Sequence, residues 1–198
     1  LRDADIAMYR AKSLGRSRHV VFGPEMRSLP VARLDLEQQL RHALERGETT
    51  LHYQPLVDLE DHRVVGFEAL LRWQHPLRGL LGPDHFLGAA VETATLIPMG
   101  NWVLREACRQ AAAWTASYGP LSMHVNLHGS EFAHPDLVSR VRDALAQAGL
   151  PAQHLTLELT EHVVMDDPER AAQVMAELRA LGVGIGLDDF GKGNSSLG

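Results

Sequence analysis

The chain has 198 residues, 45% of them hydrophobic and 22% charged, the balance of a folded globular domain rather than of a disordered one. A formal net charge of -6 counts against a surface built for duplex nucleic acid, yet leaves room for a small phosphate ligand held by a few local cations. The single cysteine, Cys108, excludes a disulfide framework within the chain, and no apolar run approaches the ~18 residues of a membrane span. A cytoplasmic character without membrane contact is the expectation.

Residues 1–12 place Leu1, Ala4, Met8 and Ala11 on one side of a helix that Gly15 stops, and a short strand follows from Arg18 to Phe22. One helix and one strand cannot bury a core of their own. Residues 1–22 therefore read as the tail of a preceding domain, and 23–32, with Gly23, Pro24, Ser28 and Pro30, as a linker. The main domain is expected over 33–198. The chain opens at Leu1 without an initiator methionine and stops in Ser195-Ser196-Leu197-Gly198, so a segment of a longer protein is expected.

From Leu34 to about Glu45 the apolar spacing of Leu36, Leu40 and Leu44 predicts a helix ended by Gly47. Strands are predicted over Thr50 to Pro55 and Val64 to Trp73. In the second, period-two alternation sets Glu68, Leu70 and Arg72 on one face and Phe67, Ala69 and Leu71 on the other. A Gly/Pro-rich loop, Gly79 to Pro83, precedes a short helix from Asp84 to about Thr95 and a longer one from Asn101 to about Tyr118. Strands then alternate with helices: Leu121 to Leu127, a helix from Pro135 to Ala148, Leu155 to Thr160, a helix from Pro168 to Leu181, and a last strand through Val183 to Leu187.

That last strand organises the rest. Its apolar run, studded with glycines, stops at Asp188-Asp189-Phe190-Gly191, and two adjacent carboxylates at the mouth of a buried strand need a cation or a shared proton. Asn126 and Glu158 lie 32 residues apart and Glu158 and Asp188 lie 30, each close to one strand-helix-strand unit. Equivalent positions of successive units fall side by side on a parallel sheet, so Glu68, Asn126, Glu158 and Asp188 are expected to converge at the strands' carboxyl ends. The fold class is α/β, a partial (β/α)8 TIM-like barrel with about five strands present where closure needs eight. Doubly wound sheets share the local pattern, but no Gly-x-Gly-x-x-Gly turn favours a dinucleotide fold.

Three carboxylates and an amide, with Asp189 adjacent, make an all-oxygen donor set that suits Mg²⁺ or Mn²⁺, and two such ions can drive in-line displacement at a phosphoryl group. Arg72 is placed to hold a phosphate bidentately. Taken singly, each residue has an ordinary alternative: an ion-pair network for Glu68 and Arg72, a turn or helix cap for Asn126 and Asp188. Four together at matching strand ends favour the functional reading. The eleven histidines are scattered and none forms a His-x-x-x-His pair on a convincing helix; His128 and His162, close behind strand ends, are secondary candidates. Cys108 has no evident base partner and is expected to be an inert buried thiol.

Five ordered segments carry a resemblance: Tyr53-Gln54-Pro55, Gly66-Phe67-Glu68-Ala69-Leu70-Leu71-Arg72-Trp73, Val125-Asn126-Leu127, Leu157-Glu158-Leu159-Thr160-Glu161 and Leu187-Asp188-Asp189-Phe190-Gly191. Together they resemble an EAL domain, and Leu1-Arg2-Asp3-Ala4-Asp5-Ile6-Ala7-Met8-Tyr9-Arg10-Ala11-Lys12 resembles the end of a GGDEF (diguanylate cyclase) domain. The resemblance implies a modified (β/α)8 barrel that hydrolyses cyclic di-GMP to linear pGpG with Mg²⁺ or Mn²⁺ and pairs as a homodimer. It implies Glu68, Asn126, Glu158 and Asp188 as metal ligands, Asp189 at a second metal, Arg72 on substrate phosphate, Gln54 on the nucleotide, and Glu161 as anchor of the loop after Asp189. Lys192 and Asn194 depart from the family's usual Thr and Tyr in that loop. His128-Gly129-Ser130-Glu131 stands for the usual Ser-Ala-Arg-Gln, and Thr95 for a common glycine. The family's catalytic lysine would fall on the next strand, beyond Gly198, so the segment alone is expected to be inactive. The alternative is a degenerate EAL domain that binds cyclic di-GMP, or a protein partner, without hydrolysis.

Overall fold

The structure is a computed structural model that describes residues 29–188, with side chains from Leu36 onward. The expected tail over 1–22, most of the expected linker, Asp189, Lys192 and Asn194 lie outside the described residues.

Helix α1 (Leu29–Ala43) begins inside the stretch expected to be linker. Pro30 sits in its first turn, where the missing N–H has no intrahelical partner to lose and the fixed φ already suits a helix. Gly47, at φ +66°, turns the chain out of the helix, and Glu48 N–H closes the end on Ala43 O at 2.9 Å. Strands β1 (Thr49–Val57) and β2 (Val64–His75) then form a long antiparallel ribbon. Asp58 shapes its turn, accepting from Glu60 N–H at 2.8 Å, while His62 adopts φ 59°. β3 (Gly79–Leu81) folds back on β2 inside the segment expected to be loop.

A 3₁₀ turn (Pro83–His85) and the short α2 (Leu87–Glu92) replace the single helix expected from Asp84 to Thr95. The break comes at Ala94, whose φ of 55° no helix accommodates. α3 (Leu96–Tyr118) starts five residues ahead of the expected Asn101, with Pro98 in its first turn. β4 (Ser122–Asn126), α4 (Gly129–Phe132), α5 (Leu137–Ala148), a 3₁₀ turn (Ala152–His154), β5 (Leu155–Thr160), α6 (Glu161–Asp166), α7 (Pro168–Ala180) and β6 (Gly184–Asp188) complete the order.

The sheet order is β1-β2-β4-β5-β6, with β3 paired to β2. β2, β4, β5 and β6 are mutually parallel, and β1 and β3 run against them, β1 because a six-residue turn joins it to β2 where a parallel return needs a crossover of about a dozen or more. Odd-numbered residues of the parallel strands face the helices. Met123, Val125, Leu155, Leu157, Leu159 and Val183 are buried there against Leu104, Ala107 and Cys108 of α3, Val141 and Leu145 of α5, and Val174 and Leu178 of α7. Each fully buried aliphatic side chain contributes roughly 1.5–3 kcal/mol by leaving water. A second cluster under α1 gathers Leu36, Leu40, Trp73, Phe86 and Met99, with the Trp73 ring edge-on to Phe86 at 5.7 Å. Both helix-facing clusters leave the even-numbered face, with its polar groups, for the barrel interior.

Candidate active site

Glu68, Asn126, Glu158 and Asp188 all occupy even positions, so the pleat turns them to the same inner face. Arg72, His124, Thr156 and Thr160 share it, and Gln54 joins from β1, directly opposite Glu68 in the antiparallel register. Equal spacing in sequence does not put the four in one row. Glu68 pairs with His124, Asn126 with Glu158, and Asp188 with Thr160, so the set climbs by two residues between β2 and β4 and by two more between β5 and β6. The physical cause is barrel shear: strands tilt to the axis, so groups at equal height step forward along successive strands.

The side chains close part of that offset. Asn126 Nδ2 donates to Glu68 Oε1 at 2.6 Å, and His124 Nδ1 lies 2.7 Å from Glu158 Oε1. A carboxylate only accepts, so the imidazole proton is on Nδ1 in this bond. β6 makes room for these groups through its glycines. A Cβ on Gly186 would stand 3.3 Å from Glu158 Cγ, and one on Gly184 would stand 2.7 Å from Thr156 Oγ1. This is why the apolar run before the two aspartates carries glycine at alternate positions. Arg72, half-buried, donates from Nη1 to the Leu71 carbonyl at 2.8 Å.

The donor set fits a hard divalent cation by its chemistry, four oxygen-bearing side chains and no thiolate. Among the described residues no three His, Cys, Asp or Glu side chains are gathered closely enough to hold a metal ion; the groups stand as two hydrogen-bonded pairs with Asp188 a row further on. Asp189, the fifth expected ligand, lies outside the described residues.

Glu161 does not continue the β5 alternation. The strand ends at Thr160 and Glu161 opens α6, so strand parity does not set where its side chain faces. Neither secondary histidine reaches the inner face. His128 caps α4, its Nδ1 accepting from Ser130 N–H at 3.1 Å, and the exposed His162 sits 3.6 Å from Asp166 on α6. Cys108 is buried, and desolvation pushes its thiol up to about 12, in keeping with the expected inert role.

Sequence reasoning missed two groups. His124 lies two residues before Asn126 on the same face, a parity that was available from β4 alone. Glu131 is the other: it is 5% exposed, accepts from His128 N–H at 3.2 Å, and burial raises its carboxyl to about 7 against a partial offset from that hydrogen bond and Arg140. Nothing in the local pattern of a four-residue helix announces a buried carboxylate.

An arc of parallel strands with helices behind it, and polar groups on the inner face near the carboxyl ends, belongs to the class of β/α-barrel proteins that place their chemistry there. The profile of the EAL domain matches residues 37–198, and the chain belongs to that family. It is 44% identical over 196 residues to the bifunctional diguanylate cyclase/cyclic di-GMP phosphodiesterase MucR of Pseudomonas aeruginosa, covering 98% of this chain and 29% of that protein. Against the cyclic di-GMP phosphodiesterase NbdA of the same organism it is 40% identical over all of this chain and 25% of that protein. For the cyclic di-GMP phosphodiesterase PdeR of Escherichia coli the identity is 36%, over 100% of this chain and 30% of that one. The chain thus spans less than a third of these relatives. Among solved structures, a MucR phosphodiesterase in complex with c-di-GMP superposes with a TM-score of 0.79 at 45% identity, over 82% of this chain and 66% of that one. The EAL enzyme Bd1971 with cAMP and cyclic di-GMP gives 0.77 at 30% identity, over 96% and 50%. No helix among the described residues is long and apolar enough to cross a membrane.

Proposed function

We propose that the protein carrying this chain is a metal-dependent phosphodiesterase that hydrolyses cyclic di-GMP to linear pGpG. The observation that carries the reading is the inner face itself: Glu68, Asn126, Glu158 and Asp188 on four neighbouring parallel strands, with the Asn126 amide bound to Glu68 at 2.6 Å. Membership of the EAL family and the relatives named for this activity support it.

In this reading Glu68, Asn126, Glu158 and Asp188 hold Mg²⁺ or Mn²⁺, and Asp189 serves a second ion. A divalent cation bound there supplies Lewis-acid activation of the attacking water and of the scissile phosphate. Arg72 receives a phosphate oxygen through its guanidinium, and Gln54, across the ribbon from Glu68, orients the nucleotide. Glu161, at the start of α6, anchors the loop after Asp189. Residues 1–22 are assigned to the end of a GGDEF-like domain, 23–32 to a linker and 33–198 to the EAL domain, and the active form to a homodimer.

The test is turnover of cyclic di-GMP by the full-length protein with Mg²⁺ or Mn²⁺, beside Glu68→Ala and with metal chelated. Appearance of pGpG that both controls abolish is the expected result. A folded protein that binds the nucleotide and makes no pGpG would instead be a receptor and would point first at Lys192 and Asn194, which depart from the family's usual loop.

A further inference from the structure

We propose that His124 is a positioning residue that fixes the Glu158 carboxylate for its cation. The role rests on the metal-dependent reading above and assigns a task to a side chain outside the ligand set.

Glu158 has support on one side only. Toward β6 its register partner is Gly186, which offers no side chain. Toward β4 its register partner is Asn126, whose amide is committed to Glu68. A glutamate in that position would sample several rotamers. His124, one row below Asn126 on β4, reaches diagonally to Glu158 and holds Oε1 at 2.7 Å. Both partners are largely sheltered, with side chains 23% and 20% exposed, so the bond competes poorly with water and is retained. With Oε1 tied, the rotation of the carboxylate is set and Oε2 is the oxygen left for a cation. Hydrogen-bonded partners of metal-ligating carboxylates act in this way, and their loss typically costs about 10–100-fold in metal affinity or activity.

The same geometry separates positioning from ligation. An imidazole that donates through Nδ1 to Glu158 acts through the carboxylate. Its effect therefore vanishes when Glu158 can no longer accept in that manner. The bond requires a donor at the Nδ1 position, not a ring, and the amide nitrogen of asparagine is able to replace it.

The experiment is Mn²⁺ titration of the full-length protein by calorimetry, without nucleotide, in wild type, His124→Leu, His124→Asn, Glu158→Ala and the His124→Leu/Glu158→Ala pair, each with a metal-free melting curve. His124→Leu is expected to weaken Mn²⁺ binding by about 10–100-fold with little change in melting temperature, and His124→Asn to restore it to within a few-fold. On the Glu158→Ala background, which removes the acceptor, the leucine is expected to add nothing. Pulsed electron paramagnetic resonance of bound Mn²⁺ is expected to show no coupled imidazole nitrogen. An unchanged affinity in His124→Leu, an asparagine as weak as the leucine, additive losses in the pair, or a directly coupled imidazole nitrogen would each overturn the assignment. Should the leucine variant not fold, the asparagine comparison and the nitrogen coupling still decide it. A wild type that binds Mn²⁺ and turns over cyclic di-GMP while His124→Leu matches it refutes this role alone; a folded wild type that takes up no Mn²⁺ removes the metal reading and this role together.

Discussion

Asn126 and Glu68 are hydrogen-bonded at 2.6 Å although they are not register partners: Glu68 lies opposite His124, and Asn126 is two residues further along β4. The amide leans back across one row of the sheet to a carboxylate that would otherwise face two more on the same side.

Asn126→Asp keeps the shape and sets a third negative group against Glu68. Like charges at this range repel unless a cation compensates them, so the metal-free protein is expected to melt several degrees lower and Mn²⁺ to raise the melting temperature by more than in wild type. Thermal melts with and without Mn²⁺ check this; an equal metal response in the two proteins would contradict it.

Gly66→Ala addresses the sheet beneath the site. A Cβ there would lie 2.5 Å from the Ser122 backbone oxygen, and a backbone atom in a paired strand has no rotamer to escape into. The substitution is expected to cost about 1–3 kcal/mol by overpacking and to part β2 from β4 just below Glu68 and Asn126. Denaturant unfolding reads the first effect, and weaker Mn²⁺ binding reads the second.

Glu131 makes stability depend on pH. Burial raises its carboxyl to about 7, above the value of an unfolded chain, so its favourable contribution is full below about pH 4.5 and is lost as pH rises through about 7. Glu131→Gln is neutral at every pH. Relative to wild type it is expected to gain roughly 2–3 kcal/mol at pH 8 and little at pH 4.5, as measured by denaturant midpoints across that range. A difference that does not change with pH would contradict the buried, protonated state. Only the Arg140 guanidinium and the His128 backbone N–H oppose the shift.

Cys108 is expected to resist thiol reagents at pH 8 in the folded state and to react at once in denaturant, since desolvation holds it at about 12. Following the release of chromophore from a disulfide reagent distinguishes the two states.

The inner-face residues were legible because period-two alternation survives any detail of packing: Glu68 and Arg72 share a face, and so do Asn126, Glu158 and Asp188, once each strand is found. Their relative heights were not legible. Register between parallel strands is set by tilt across the whole barrel, and equal sequence spacing carries no information about it. The helix limit at Leu29 was missed because Pro30 was read as linker, although a proline in a first turn breaks nothing, and the start at Leu96 likewise carries Pro98 in its first turn. The fold-back of β3 on β2 and the strand end at Thr160 depend on tertiary pairing, and His124 went unremarked because its partner lies on another strand.

The ribbon of β1 and β2 turns at residues 58–63, at the end of the sheet away from Asp188 and four residues of paired strand below Glu68. Leu59 at its tip is exposed, as are Val57 and Val64 beside it. Whatever is attached or inserted there changes neither the pairing of Gln54 with Glu68 nor the face they share. That turn is therefore a handle: a place for a fluorophore or a surface tether that leaves the chemistry at the other end undisturbed.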